Sequence, residues 1–421
     1  MSQKAAVVSL LNGLFTEVYG DDLISLVPKA ARLQKDAPFV SREKREGNQY
    51  HQPVRLTRAH GWTLSTSGDA FALNPPEPAR TKDATVQGSS FVLREAISYD
   101  AAAKLASGKG AGRKKEFISG TAFVMETMAE TAAFVLELQL LYGQASIGTI
   151  NARTNDSGTT QTFSITAATW IAALWSGMEQ GFIDIYDGAT LLTTAQVTGT
   201  TMDSLAVEFF GVEAELDLVA AATNPTLYLR GTKDAGMVGL VTQVANTGTL
   251  FGINGADYSL WTGNTYSAAS GTLSFAKFIR AMNKPVGRGL MSDCIAYVSP
   301  ASWVDCQNDL AALRRYAQKA GGKIEQGDDS LVYHCQAGSV ELVPHILMMP
   351  SLAVAFPKDK LIRVGASDFT FGMPGMGSSG AVWESLPDHA GVGTRCYWNQ
   401  ALFNPAVCQS LLINEIVNSA S

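Results

Sequence analysis

Ser119–Gln144 reads SGTAFVMETMAETAAFVLELQLLYGQ. It contains no proline, and no glycine between Gly120 and Gly143. Met, Leu, Ala, Glu and Gln dominate it, all good helix formers. Phe123, Val124, Met128, Val135, Leu138 and Leu141 are spaced for one face, with Glu126, Glu130 and Glu137 largely on another. Gly143 stands where a left-handed glycine ends a helix. A helix of about 25 residues runs roughly 38 Å, long against a mean of about 11–12 residues. Its glutamates exclude a membrane span, which needs an apolar run of about 20 residues. The stretch predicts a long soluble helix lying under something large.

The chain of 421 residues is long enough for a substantial core and two or more lobes. Charged residues make up 17% of it, against about 25% in average domains, which suggests a surface partly covered by other subunits. The net charge of −6 lacks the basic footprint of a nucleic-acid binder. Ala5–Leu11 is apolar but is followed by Asn12, Thr16 and Glu17, without a secretory cleavage site. Cys294, Cys306, Cys335, Cys396 and Cys408 form no C-x-x-C pair and read as reduced thiols of a cytoplasmic product.

Upstream of the long helix, residues 1–46 read as a helical arm, with Val7, Leu10, Leu11, Leu14 and Val18 in helical period and a second short helix at Asp21–Leu26. Tyr50–Thr57 and Thr85–Tyr99 alternate as strands around a Gly- and Pro-rich interval, Gly61–Ala79. This predicts a projecting two-stranded ribbon, which is marginal alone in water and needs a surface to lie on. Ala101–Lys115 reads as a basic hinge. It lacks the G-x-x-x-x-G-K-[ST] spacing of a phosphate loop.

Downstream, Ser146–Thr162 is a linker by composition, and Phe163–Arg230 reads as a small β domain with a hairpin turn at Asp187-Gly188 and a strand at Ala214–Val219. A mixed α/β region follows. It has helices at Met237–Ala245, Leu273–Met282 and Pro300–Gln318, strands at Cys294–Ser299, Ala353–Phe356 and Leu361–Val364, and a hairpin around Ala337-Gly338. Thr394–Ile416 returns as β structure.

Chemistry finds little support. Gly375–Gly380 matches G-x-G-x-x-G, but Pro387 follows it instead of a helix. His51, His60, His334, His345 and His389 show no metal-ligand spacing with the cysteines. His334 and Cys335 are adjacent and on a strand point to opposite faces. Asp388-His389 lies near Ser385, but no G-x-S-x-G elbow exists. No catalytic, cofactor or metal residues are assigned. Trp170, Trp175, Trp261, Trp303, Trp383 and Trp398 are spread out and read as core.

The order of arm, ribbon, hinge, long helix, β segment, α/β lobe and β return resembles the major capsid proteins of tailed bacteriophages, the Hong Kong 97 fold. Local stretches carry the same resemblance: GTLFGI at 248–253, YSLWTGNTYS at 258–267, SPASWVDCQNDLAALRRY at 299–316, VELVPH at 340–345, Arg363–Asp368, Pro374–Gly377 and Trp398–Ala401. It implies an α+β fold with these divisions: N-terminal arm 1–46, extended β-ribbon loop and hinge 47–117, spine helix 118–148, inserted small β domain 149–235, axial α/β domain 236–385 and a return to the peripheral domain 386–421. It implies a non-enzymatic shell protein that needs no cofactor, forming homo-pentamers and homo-hexamers around phage double-stranded DNA. That DNA is driven in by a motor, so the wall needs no tight DNA binding. Implied partners are a portal at one vertex and a decoration protein, with no membrane. The location is the virion capsid head, assembled in the host cytoplasm. The short leader, about 45 residues before the ribbon, leads to the expectation of a separate scaffolding protein. Assembly contacts are expected at Arg80, Lys82, Arg94, Lys114, Lys115 and Trp261. Lys82 is also, by position alone, a candidate for the lysine–asparagine cross-link that some members form. Two other readings stand beside this one: an encapsulin-like compartment shell with the same fold, and a hydrolase using Cys335 or His389.

Overall fold

The computed structural model describes residues 31–40, 49–66, 70–98, 100, 111–314, 331–336, 338–371, 382–385 and 390–419. The helices expected at Val7–Val18 and Asp21–Leu26, the glycine motif at Gly375–Gly380 and the Asp388-His389 pair lie outside them.

In chain order, a short helix α1 (Arg32–Asp36) precedes strands β1 (Tyr50–Arg55), β2 (Thr81–Val86) and β3 (Ser89–Ser98), and then the long helix α2 (Ala111–Leu141). The next block is β4 (Gly148–Ser157), β5 (Thr160–Ile165), α3 (Ala172–Trp175), β6 (Phe182–Asp187), β7 (Thr190–Thr201), β8 (Ala206–Phe210), α4 (Glu213–Ala221) and β9 (Thr226–Leu229). Helices α5 (Thr232–Ala235) and α6 (Leu240–Val244) lead to a two-residue hairpin, β10 (Thr249–Leu250) with β11 (Ile253–Asn254). Then come β12 (Thr265–Gly271), α7 (Phe275–Gly287), β13 (Cys294–Val298), α8 (Pro300–Arg314), β14 (Leu331–Cys335), β15 (Gly338–Pro344) and β16 (Ala353–Pro357). The chain closes with β17 (Ile362–Phe371), β18 (Trp383–Ser385), β19 (Gly391–Phe403) and β20 (Leu411–Ile416).

Helix α2 is 31 residues long and starts eight residues before the expected Ser119. Of the hinge expected at Ala101–Lys115, residues 101–110 lie outside the described residues, and Ala111–Lys115 is helical. One glycine there, Gly112, does not outweigh its Ala, Arg, Lys and Glu neighbours. Gly143 ends the helix as expected, at φ 56°. A Cβ there would stand 1.9 Å from the Met237 carbonyl oxygen, so the position excludes side chains by space as well as by backbone. The two halves of α2 sit differently. Val124, Met128 and Ala132 face a sheet on one side only, while Leu136–Tyr142 is buried all round.

Besides the β1–β2 and β10–β11 pairs, the described strands form three larger β assemblies. A six-stranded sheet has the order β12-β20-β16-β13-β15-β14, and β13 is buried at every residue. A second sheet runs β17-β19-β18, with β3 also paired to β19. The third is a closed six-stranded barrel, β4-β5-β8-β7-β6-β9, with Phe163, Ile183, Ile185, Val197, Val207, Phe209 and Leu227 fully buried.

Two local expectations are overturned in the barrel. Ser146–Thr162 is no linker: Gly148–Ser157 and Thr160–Ile165 pair as a hairpin. Its Thr and Asn residues misled because most of β4 is exposed, so polar side chains are tolerated on a paired strand. Ala214–Val219 is helical, within α4, because Leu216 and Val219 at i and i+3 cover the barrel while Glu213 and Glu215 occupy the first turn.

Candidate assembly surface

The ribbon is built differently from the two long strands expected. β1 pairs antiparallel with β2, from Tyr50 opposite Val86 to Arg55 opposite Thr81. The second strand breaks at Gln87-Gly88, after which β3 leaves the ribbon and pairs with β19. Gly88 permits the break, since a Cβ there would lie 2.2 Å from Asn399 Oδ1.

The base of the ribbon is gripped. Ala84, Val86 and Leu56 are buried. The Thr85 N–H donates to the Phe251 carbonyl at 3.0 Å. Phe251 and Tyr50 both set ring edges against Phe403, with centroids 5.5 and 6.0 Å away. Trp261 Nε1–H donates to the Leu250 carbonyl at 2.9 Å and so holds the β10–β11 hairpin in place.

Beyond the strands the ribbon stays an extended flap. Leu56 N–H donates to the Arg80 carbonyl and His60 N–H to the Glu77 carbonyl. Asn74 closes the far end, its N–H on Thr63 Oγ1 and its Nδ2–H on the Trp62 carbonyl. The flap presents four large apolar side chains to solvent: Trp62 at 65%, Leu64 at 83%, Phe71 at 49% and Leu73 at 78% exposure. Isolated exposed leucines need no explanation, but four large apolar side chains exposed within residues 62–73 concentrate such surface in one segment. Sequence reading missed all four by treating Gly61–Ala79 as a spacer. The readable signal was alternation, Trp62 with Leu64 and Phe71 with Leu73, inside an interval too polar to form a core.

The residues expected at assembly contacts are spread over the chain. Arg80 and Lys82 are exposed on the ribbon. Arg94 is exposed on β3, directly opposite Arg395 of β19. Lys114 and Lys115 stand in the opening turns of α2 and not in a hinge. Trp261 is fully buried and offers no surface to a neighbour; its role is the one inside the subunit just described.

Cys335 ends β14 half-buried, and His334 beside it is exposed. Burial pushes the thiols of Cys294 and Cys306 up to about 12, so both are protonated at neutral pH and are poor nucleophiles. His345 Nε2 lies 2.9 Å from Glu137 Oε1, a histidine–carboxylate pair the spacing could not show. Both residues are sealed, at 3% and 0% exposure. Expected on the polar face of α2, Glu137 is buried because other elements bring it donors. Among the described residues no three His, Cys, Asp or Glu side chains converge as metal ligands, and no helix is long and apolar enough to cross a membrane.

No protein-family model matches the chain, and no curated protein matches it in sequence. Solved structures do. The capsid asymmetric unit of cyanophage A-1(L) superimposes with a TM-score of 0.57 at 11% identity, covering 97% of this chain and 99% of that one. The capsid of a native GTA particle gives 0.49 at 10% identity over 99% and 100% of the two chains. Mycobacterium phage Bobi gives 0.45 at 11% over 99% and 100%. At such identities the likeness is one of fold, spanning both chains nearly end to end in the cyanophage case. The fold of this chain is that of a tailed-bacteriophage capsid subunit, the Hong Kong 97 architecture.

Proposed function

We propose that the chain is a major capsid protein that assembles into pentamers and hexamers of an icosahedral head enclosing double-stranded DNA. The observation that carries this reading is the flap: a gripped base, hydrogen bonds along its length and four large apolar side chains that the subunit leaves uncovered. Such a surface marks a site for a partner, and a heterologous contact repeated around an axis forms a ring when its rotation closes. In this reading residues 31–40 belong to the N-terminal arm, the ribbon is the extended loop and α2 is the spine helix. The six-stranded sheet with α7 and α8 forms the axial domain, the β3–β19 sheet belongs to the peripheral domain, and the barrel is an insertion. The function is structural and the location is the virion head, after assembly in the host cytoplasm. A separate scaffolding protein, a portal and a decoration protein are its expected partners.

Sedimentation velocity of the purified chain, with and without candidate scaffold, followed by electron microscopy of any fast species, tests the proposal. Closed shells or discrete pentamers and hexamers are expected. A monomer that never assembles with any scaffold would leave the fold and remove the function.

A further inference from the structure

The β10–β11 hairpin turns through two residues, Phe251 and Gly252, between Leu250 and its partner Ile253. Both are left-handed, at φ 52° and 79°. Such a turn ordinarily carries Asn-Gly or Asp-Gly, because a side chain as large as Phe is strained at positive φ. Phe251 is the one aromatic residue in that backbone region among the described residues. Two contacts account for its place. Its carbonyl accepts the Thr85 N–H of β2 at 3.0 Å, and its ring packs edge-on with the Phe403 ring at a centroid distance of 5.5 Å. Tyr50 of β1 packs edge-on with the same Phe403 ring, at 6.0 Å. Tyr50 and Thr85 occupy adjacent rungs of the β1–β2 ladder, opposite Val86 and His51. One turn and one ring therefore hold both strands of the ribbon at its base.

The holder is itself fixed in the body. Leu250 and Ile253 are buried. Trp261, which donates to the Leu250 carbonyl, has its own carbonyl bound by Asn246 Nδ2–H at 2.9 Å. On either side of Phe403, Gln243 of α6 donates to the Leu402 carbonyl and accepts the Asn404 N–H. The ribbon carries this hold outward. Its pairing runs from Tyr50 opposite Val86 to the bonds of Leu56 with Arg80 and His60 with Glu77. Trp62 stands twelve residues beyond Tyr50. That is up to about 40 Å at about 3.3 Å per residue, so a swing of about 10° at the base moves the flap by roughly 7 Å. A backbone outlier that its surroundings hold in place points to a task. We propose that Phe251 is a positioning residue for assembly: its turn fixes the ribbon base, and so the direction in which Trp62, Leu64, Phe71 and Leu73 meet a neighbouring copy of the chain. The consequence for assembly rests on the ribbon being the intersubunit arm; the hold on its base does not.

Double electron–electron resonance on the full-length unassembled chain tests this. Spin labels go at Ala72→Cys on the flap and Lys360→Cys on the body, both exposed, in a Cys335→Ser background whose four remaining cysteines are buried. Lys360 lies two residues before Ile362, which pairs with Phe403. Phe251→Asn keeps the carbonyl and a residue suited to left-handed backbone, and removes the ring. It is expected to broaden the distribution of label distances. In the unlabelled chain it is expected to raise the concentration threshold for shells about tenfold or more, since each contact must then also order the arm. Phe251→Tyr, which keeps the ring, should restore the wild-type distribution and threshold. A distribution unchanged in Phe251→Asn, or broadened equally in Phe251→Tyr, would overturn the proposal, as would an unchanged threshold beside a broadened distribution. If Phe251→Asn unfolds the chain, Tyr50→Leu removes the other ring contact with Phe403 and is read in the same way, an unchanged distribution again overturning the proposal. Wild-type chain that never forms shells would sink the capsid reading and leave the label result standing.

Discussion

Removing the two most exposed leucines of the flap, Leu64→Ala with Leu73→Ala, should separate assembly from folding. Leu64 and Leu73 are 83% and 78% exposed in the subunit. Fully burying a leucine is worth about 1.5–3 kcal/mol, so covering the exposed parts of both contributes about 2.5–5 kcal/mol per ribbon contact. Alanine retains only a small part of this, and the pair should weaken each contact by about 2–4 kcal/mol, roughly 30- to 1,000-fold. Because neither side chain is in a core of the subunit, subunit stability should change by less than about 0.5 kcal/mol, or about 1–2 °C in melting temperature. Sedimentation velocity across a concentration series gives the assembly threshold, and thermal melting of the unassembled chain gives the control. An unchanged threshold would refute the reasoning, since the flap would then be uncovered in the assembly too. A melting temperature lowered by several degrees would refute it differently, by showing that the leucines support the subunit's own fold.

Three further outcomes follow from the subunit. Arg94→Glu turns a like-charge cross-strand pair with Arg395 into an opposite-charge one, which should stabilise the unassembled chain by about 0.2–1 kcal/mol in chemical denaturation; loss of stability would contradict the register. Gly143→Ala places a side chain in left-handed backbone against the Met237 carbonyl, and should cost at least about 1–2 kcal/mol from conformation alone. A melting temperature equal to wild type would show that α2 does not end as described. Glu95, on the face of β3 that packs toward α2, has its carboxyl raised above the usual range by burial. Its folded value lies above its unfolded one, so its protonated form favours folding below the unfolded value, and that contribution is lost as pH rises through the folded value. Glu95→Gln should therefore raise the melting temperature at pH 7 and leave it nearly unchanged at pH 3; an equal effect at both pH values would remove burial as the cause.

What was legible in the sequence is what depends on near neighbours. The C-terminal stop of α2 was visible because a glycine after an apolar run has one common use, and β13 was visible as a short apolar run, Cys294–Val298, followed by a serine and a proline. The order of elements carried the family resemblance because order survives when identity has fallen to 11%. The errors share a different physics. Glu137 was assigned to solvent because a glutamate on a helix usually faces water, yet its burial is decided by donors that lie 104 and 208 residues away in sequence. Gly88 looked like one more residue in a long strand, and only the approach of Asn399 gives it the task of ending the ribbon pairing. Trp62, Leu64, Phe71 and Leu73 were passed over for the opposite reason: among the described residues no element covers them, so no pattern of core formation marks them. A chain that completes its packing only against a neighbour leaves half of its interface code unpaired within one copy. For that reason the apolar residues that fit no core are the ones to test first in a capsid fold.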